Sequence, residues 1–312
     1  MGHGPYTPPA KIVKLRKEKS LLPALYADNG DFILLDDKVS PEELSSLDFY
    51  DICRQKELIP VYLKDLPDIF PALSQIVPWG WDHAIIRELS ENGVPQNLIP
   101  TKSQLEELRR LSHRRTTIPF RTMMAELLDE PIINMPEELR SVKEIETILQ
   151  ENPLMYFKAP WSSSGRGIVV SDHITRKGLL EWCHGVINHQ GSVMAEKAWM
   201  RIFDFATEWE IKDSDTIFLG VSVFETSSRG KYHGNINLPQ EDLYNLIKTS
   251  VPHFNERIIK AQQQTIQHLI APFYNGFLGI DMLADQEGNI NPCVELNLRL
   301  TMGHVALKQY RI

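Results

Sequence analysis

Cysteine is scarce: the chain has three in 312 residues, Cys53, Cys183 and Cys293, widely separated and odd in number. With no CxxC and no Cys/His pairing at zinc spacing, a disulfide framework and a zinc site are excluded, and buried thiols in a reducing compartment are expected. Long apolar runs are missing too. Nowhere do 18 consecutive apolar residues occur, and the opening MGHGPYTPPAKIVKLRKEK has no apolar signal core. Neither membrane spanning nor secretion is therefore expected, and the location reads as cytoplasmic. Positive charge is not in excess, since the formal net charge is -8, which argues against a nucleic-acid partner. No low-complexity tract or fixed-period repeat is visible. Two common nucleotide motifs are absent as well: there is no GxxxxGK[ST] and no GxGxxG opening a helix. Nor is there a Ser/His/Asp or reactive-cysteine constellation.

What is present begins with size. A chain of 312 residues exceeds the usual single domain, so two domains or two lobes are expected. Strand and helix alternate early. FILLDD at 32–37 predicts a strand, Ser40 with Glu43 predicts the capping box of a helix through SPEELSSLDFYDICRQK, and LIPVYL at 58–63 predicts a second strand. IVPWGWDHAIIRELSENGVP continues as strand, turn and helix, with Asp82 as N-cap and Gly93 near the C-cap. Thr101 with Gln104 marks another helix start, which leads into the basic SHRRTT. Residues 1–115 thus form a small α/β domain, and 116–312 a second one. From Met155 on, hairpin-like runs point to an α+β domain built on antiparallel pairs.

Two stretches carry chemistry. In YFKAPWSSSGRGIVVS a loop of small residues, Ser162 to Gly167, lies between apolar runs and returns into a strand. Main-chain N–H groups of such a loop make an anion cradle, although a plain hairpin tip has the same composition. Lys158, at the end of the first run, is placed to reach a phosphate or to extend along the surface. The second stretch is GFLGIDMLADQEGNINPCVELNLRL. Period-2 alternation puts Gly279 and Asp281 on the face opposite Leu278, Ile280 and Met282, and puts Glu295 and Asn297 opposite Val294 and Leu296. Pairing outward from a turn at 285–289 brings Asp281 within a residue or two of Glu295. Two carboxylates so close call for a proton or a cation, and two carboxylates with an amide oxygen suit hard Mg²⁺. Arg299 continues that face toward a phosphate.

YFKAPWSSSGRGI, VMAEKAW and GIDML…CVELNLRLTMG, in this order and spacing, resemble the ATP-grasp superfamily. The segments PWGWD and LSHRR resemble a bacterial, carboxylate–amine ligase-like branch of it. The resemblance implies α/β plus α+β architecture, with two α+β lobes, about 116–195 and 196–312, clasping ATP. It implies that Lys158 and Arg299 act at the transferring phosphoryl group and that the loop with Ser162, Ser163, Ser164, Gly165 and Gly167 forms a lid over the phosphates. Main-chain groups of Glu196, Lys197 and Ala198 would meet adenine, and Glu208 the ribose. Arg114 or Arg115, of which Arg115 is the choice, would stand where many relatives carry a nucleotide-contacting lysine. Asp281, Glu295 and Asn297 would hold Mg²⁺. The implied reaction is MgATP-dependent ligation, with a carboxylate activated as acyl phosphate and then attacked by an amine. The alternatives are a phosphotransferase on the same fold and a nucleotide-binding module without turnover. The implied partners are a small carboxylic acid and an amine, with no membrane and no indicated oligomer. His304, Asp204 and Arg229 are lesser candidates for cleft contacts.

Overall fold

A computed structural model of the chain describes residues 10–131, 134–162, 167–226 and 232–309. It divides into two compact units, Met1–Glu106 with Lys308–Ile312, and Glu107–Leu307.

The first unit carries helix α1 (Ala10–Glu18), strand β1 (Phe32–Leu34), α2 (Tyr50–Gln55), β2 (Ile59–Val61), α3 (Leu66–Ile69) and α4 (His83–Glu91). β1 and β2 pair in parallel, Phe32 opposite Ile59, which requires a crossover, and α2 lies in it. Leu21, Ile33, Leu35 and Cys53 form one apolar cluster, and Val61, Leu66, Leu89 and Val94 another. Asp82 caps α4 as expected, accepting from the N–H groups of Ala84 and Ile85 at 2.8 and 2.9 Å. The strand expected at Ile76 to Trp79 does not form. Pro78 has no N–H to give to a ladder, and extended backbone without a partner is not a strand. The Ser40–Glu43 capping box does form, but it opens only the short 3₁₀ turn Leu44–Ser46. Phe49, at φ +69°, breaks the run before α2.

The division between the units falls within α5 (Lys102–Leu111) and α11 (Met302–Gln309). Between them lie α6 (Thr117–Leu128), β3 (Glu137–Leu139), α7 (Val142–Glu151), β4 (Met155–Lys158), β5 (Ile168–Val170), α8 (Arg176–Gln190), β6 (Val193–Lys197), β7 (Arg201–Lys212), β8 (Asp215–Thr226), β9 (Tyr232–Asn235), α9 (Gln240–Ser250), α10 (Glu256–Leu269), β10 (Gly276–Asp285) and β11 (Ile290–Asn297).

The strands form two antiparallel sheets, ordered β3-β6-β4-β5 and β11-β10-β7-β8-β9. In the smaller sheet Phe157, Val193 and Ala195 pack against Ile145 and Ile148 of α7 and Leu179 and Cys183 of α8. Alternation therefore sends Lys158 and Glu196 to the opposite face. In the larger sheet Leu278, Ile280 and Met282 are fully buried. Ile258, Ala261, Gln262, Thr265 and Ile266 make the buried stripe of α10, at helical spacing. Gln262 is satisfied there, accepting from Thr207 Oγ1 at 2.9 Å and donating to the Pro292 carbonyl at 3.0 Å.

Candidate functional site

The β10–β11 hairpin sets the first part of the site. Asp285 accepts from the N–H groups of Glu287 and Asn289, both at 2.9 Å, and Gly288 turns the chain at φ +81°, a conformation that costs glycine little. The resulting register places Asp281 directly opposite Glu295, and Gly279 opposite Asn297. Asn297 Nδ2 donates to Asp281 Oδ2 at 3.1 Å, and Arg299 Nη2 donates to Asn297 Oδ1 at 3.0 Å. Burial, with Glu295 and Glu208 close by, pushes the Asp281 carboxyl well above the usual carboxylate range. Among the described residues no three His, Cys, Asp or Glu gather to hold a metal ion. The candidate donors are two carboxylates and one amide oxygen, and this hard oxygen set fits a hard divalent cation.

Arg114 forms the second part of the site. It lies in the 3₁₀ turn Arg114–Thr116 ahead of α6, and its guanidinium is almost wholly buried. Arg114 Nη1 stands 2.9 Å from Glu295 Oε2, Nε donates to the Ala159 carbonyl at 3.1 Å, and Nη2 donates to Ser162 Oγ at 3.0 Å. Arg115, expected to fill this place, instead points outward: its side chain is 45 % exposed and lies 3.7 Å from Glu138. Successive residues of a 3₁₀ turn point about 120° apart, so only one of the two arginines can face inward.

Lys158 is buried and paired with Glu196. Burial, with Arg114 and Arg121 adding to it, holds its ammonium down at about 7. Glu196 also accepts from Arg121 Nη2 at 3.4 Å, while Arg121 Nε and Nη1 donate to the carbonyls of Cys293 and Asn134 at 2.7 and 2.9 Å. Arg121 was missed in the sequence, although its signal was there. It shares the buried stripe Thr117, Phe120, Arg121, Met124, Leu128 of α6, and a cation in such a stripe needs buried partners.

Asn134 was missed too. Its Oδ1 accepts from the Lys197 N–H at 3.0 Å and its Nδ2 donates to the Lys197 carbonyl at 2.8 Å, while the Ala198 N–H donates to the Leu154 carbonyl at 3.2 Å. These main-chain groups, expected to meet adenine, are thus engaged within the protein. A cavity of about 530 Å³ opens beside them. Ile148, Met155 and Ala195 of the helix-bearing face line it, together with Glu196, the partner of Lys158.

Glu208 requires a correction. It is 1 % exposed, with one carboxylate oxygen bonded by Ser222 and the other by Thr301, so it has no free edge for a ribose. His304 is likewise sealed, its Nε2 3.2 Å from the Trp209 carbonyl. Asp204 is bonded by Thr226. Of the loop, Ser162 reaches Arg114, and Gly167 adopts φ +84° with its carbonyl accepting from the Ala159 N–H at 2.8 Å. A Cβ on Gly167 would stand 2.9 Å from Ser162 Cβ. Ser163, Ser164, Gly165 and Arg229 lie outside the described residues.

Lys158 and Arg121 thus meet at Glu196, while Arg114 bonds Glu295 and, opposite it, Asp281 and Arg299 meet at Asn297; Arg115 and Glu208 bond no member of either group. No family model matches the sequence, and neither does any curated protein sequence. By structure the chain is similar to the biotin carboxylase of Campylobacter jejuni, solved as a β,γ-ATP complex, at TM-score 0.57 and 14% identity over 96% of this chain and 65% of that one. It thus spans just under two thirds of that enzyme. It is also similar to the biotin carboxylase domain of the Hydrogenobacter thermophilus 2-oxoglutarate carboxylase, solved with MgADP and bicarbonate, at TM-score 0.52 and 14% identity over 95% of this chain and 67% of that one. A third similar structure, D-cycloserine synthetase, has TM-score 0.50 and 11% identity over 90% of this chain and 98% of that one. These neighbours are ATP-grasp enzymes, and the chain has the ATP-grasp fold.

Proposed function

We propose that the chain is an ATP-dependent ligase that activates a carboxylate as its acyl phosphate for attack by an amine. One observation carries this reading. Asp281 and Glu295 stand directly opposite each other on one sheet face, with Asn297 beside them, and Arg299 and Arg114 bond members of that set. A juxtaposed carboxylate pair rimmed by guanidiniums is what a divalent cation and a polyphosphate together require. Two of the similar structures were solved with adenine nucleotides, one of them with magnesium, which supports the same assignment.

In this reading Asp281, Glu295 and Asn297 hold Mg²⁺, which would neutralise charge on the transferring phosphoryl group. Arg114 and Arg299 hold phosphate oxygens, and Lys158 exchanges its Glu196 partner for a phosphate. Lys197 and Ala198 border the base once Asn134 is displaced. The reaction needs positioning and electrostatics and no protein nucleophile. Nothing in the site selects a particular acid or amine, so the expectation stays at the level of small-molecule substrates handled in the cytoplasm.

The test is interception. With MgATP, a screened set of amino acids and short peptides as acids, and concentrated hydroxylamine, an acyl phosphate is trapped as a hydroxamate while ADP and phosphate appear together. A stable phosphorylated product without hydroxamate would instead identify a kinase acting on the same MgATP site.

A further inference from the structure

We propose that Glu208 is a positioning residue, a buried clamp that presets the turn carrying Asn297 and Arg299, and that it touches neither nucleotide nor substrate. The inference rests on the proposed MgATP site, whose Asn297 and Arg299 it would hold in place. Three observations converge on it.

The first is the bonding around the carboxylate. Ser222 Oγ donates to Oε1 at 2.8 Å and Thr301 Oγ1 donates to Oε2 at 2.9 Å. A buried carboxylate is costly unless hydrogen bonds surround it, and here they come from β8 and from the segment that follows β11.

The second is what Thr301 and His304 do. They form the capping box of α11: the His304 N–H donates to Thr301 Oγ1 and the Thr301 N–H donates to His304 Nδ1, both at 3.2 Å. A capping box fixes the entry of the chain into its helix. Here that entry follows directly on a tight turn in which the Arg299 N–H donates to the Asn297 carbonyl at 2.8 Å and Arg299 Nη1 donates to the Leu300 carbonyl at 2.9 Å. Fixing Thr301 against β7 therefore fixes the positions of Asn297 and Arg299.

The third is room. Gly279, paired with Glu208 across β7 and β10, and Gly303 both lack a positive φ, so backbone freedom does not explain them. A Cβ on Gly279 would stand 2.9 Å from Glu208 Oε2 and 2.7 Å from Thr301 Cγ2. A Cβ on Gly303 would collide with Glu208 Oε1 and stand 2.6 Å from Ser222 Oγ. Both glycines are there because the carboxylate fills the space their side chains would take. The glycine two places before Asp281 thus belongs to the clamp and not to the metal.

Glu208→Ala empties a buried site and is expected to impair folding, so Glu208→Gln, which keeps the shape and the capping box of α11, is the decisive variant, with Thr301→Val beside it. In ligand-free protein, amide exchange across 298–305 should quicken about tenfold in Glu208→Gln while that of β4 stays as in the parent, because only local opening is made easier. Calorimetry with ADP should then show about a tenfold loss of affinity in the presence of Mg²⁺ and little change in its absence, since the loosened turn carries a metal ligand. Unchanged exchange across 298–305 in both variants would overturn the clamp. A parent protein that binds no MgADP would overturn the proposed function instead, and the exchange measurement would still decide the clamp.

Discussion

Arg114 and Glu295 stand 2.9 Å apart, guanidinium nitrogen to carboxylate oxygen, and the arginine that makes this contact also bonds the Ala159 carbonyl and Ser162. One side chain thus ties the end of β4 to strand β11. Removing it in Arg114→Ala leaves a carboxylate and a carbonyl short of partners, and the quarter-exposed Glu295 side chain recovers part of the loss from water. A net cost of about 2 kcal/mol is expected, below the range for a fully buried pair. Chemical denaturation checks it, and an unchanged midpoint would show that the contact contributes nothing.

Glu295→Gln keeps the shape and removes the charge. Metal-dependent ATP turnover should fall by at least about a hundredfold, because a cation held by two carboxylates loses one of them. The melting temperature should stay within a few degrees. Turnover at the parent rate would remove Glu295 from the metal site.

Lys158 sets a pH dependence. Its folded-state value of about 7 lies below the ordinary 10.5, so between these values the unfolded chain binds the proton and the folded chain does not. The cost of burying the ammonium is present in full below about pH 7 and is relieved as pH rises, so this group alone makes stability climb through that window. Phosphate binding has the opposite preference, since it needs the charged form. Nucleotide affinity should therefore fall as pH rises past about 7, and binding at alkaline pH should take up a proton. Calorimetry in buffers of different ionisation enthalpy detects that uptake, and no uptake would mean that Lys158 stays charged throughout.

Asn134 offers Lys197 a donor and an acceptor side by side, the same pattern as the amino edge of adenine. If the base reads Lys197, it has to displace the carboxamide first. Asn134→Ala should then bind ADP more tightly, by about 1 kcal/mol for a hydrogen-bond pair no longer broken. Weaker binding would make Asn134 a part of the nucleotide site and not its competitor.

The chain itself determined whatever depends on a few consecutive residues. The alternation in GFLGIDML and CVELNL, with Gly288 in the turn, specified which side chains share a face and brought Asp281 opposite Glu295, because period and turn geometry act over single residues. The capping boxes at Ser40 and Thr101 and the N-cap at Asp82 were legible for the same reason. Tertiary structure decided what depends on distant partners. Arg114 turns inward and Arg115 outward because Glu295, Ala159 and Ser162 lie on one side of their turn. Arg121 and Asn134 belong to the site only because α6, β6 and β11 come together around them. Glu208 lies on the strand face that a ribose contact would need, yet α11 folds over it and seals it. Alternation assigns a residue to a face, but only packing decides whether that face meets solvent, a ligand or another helix.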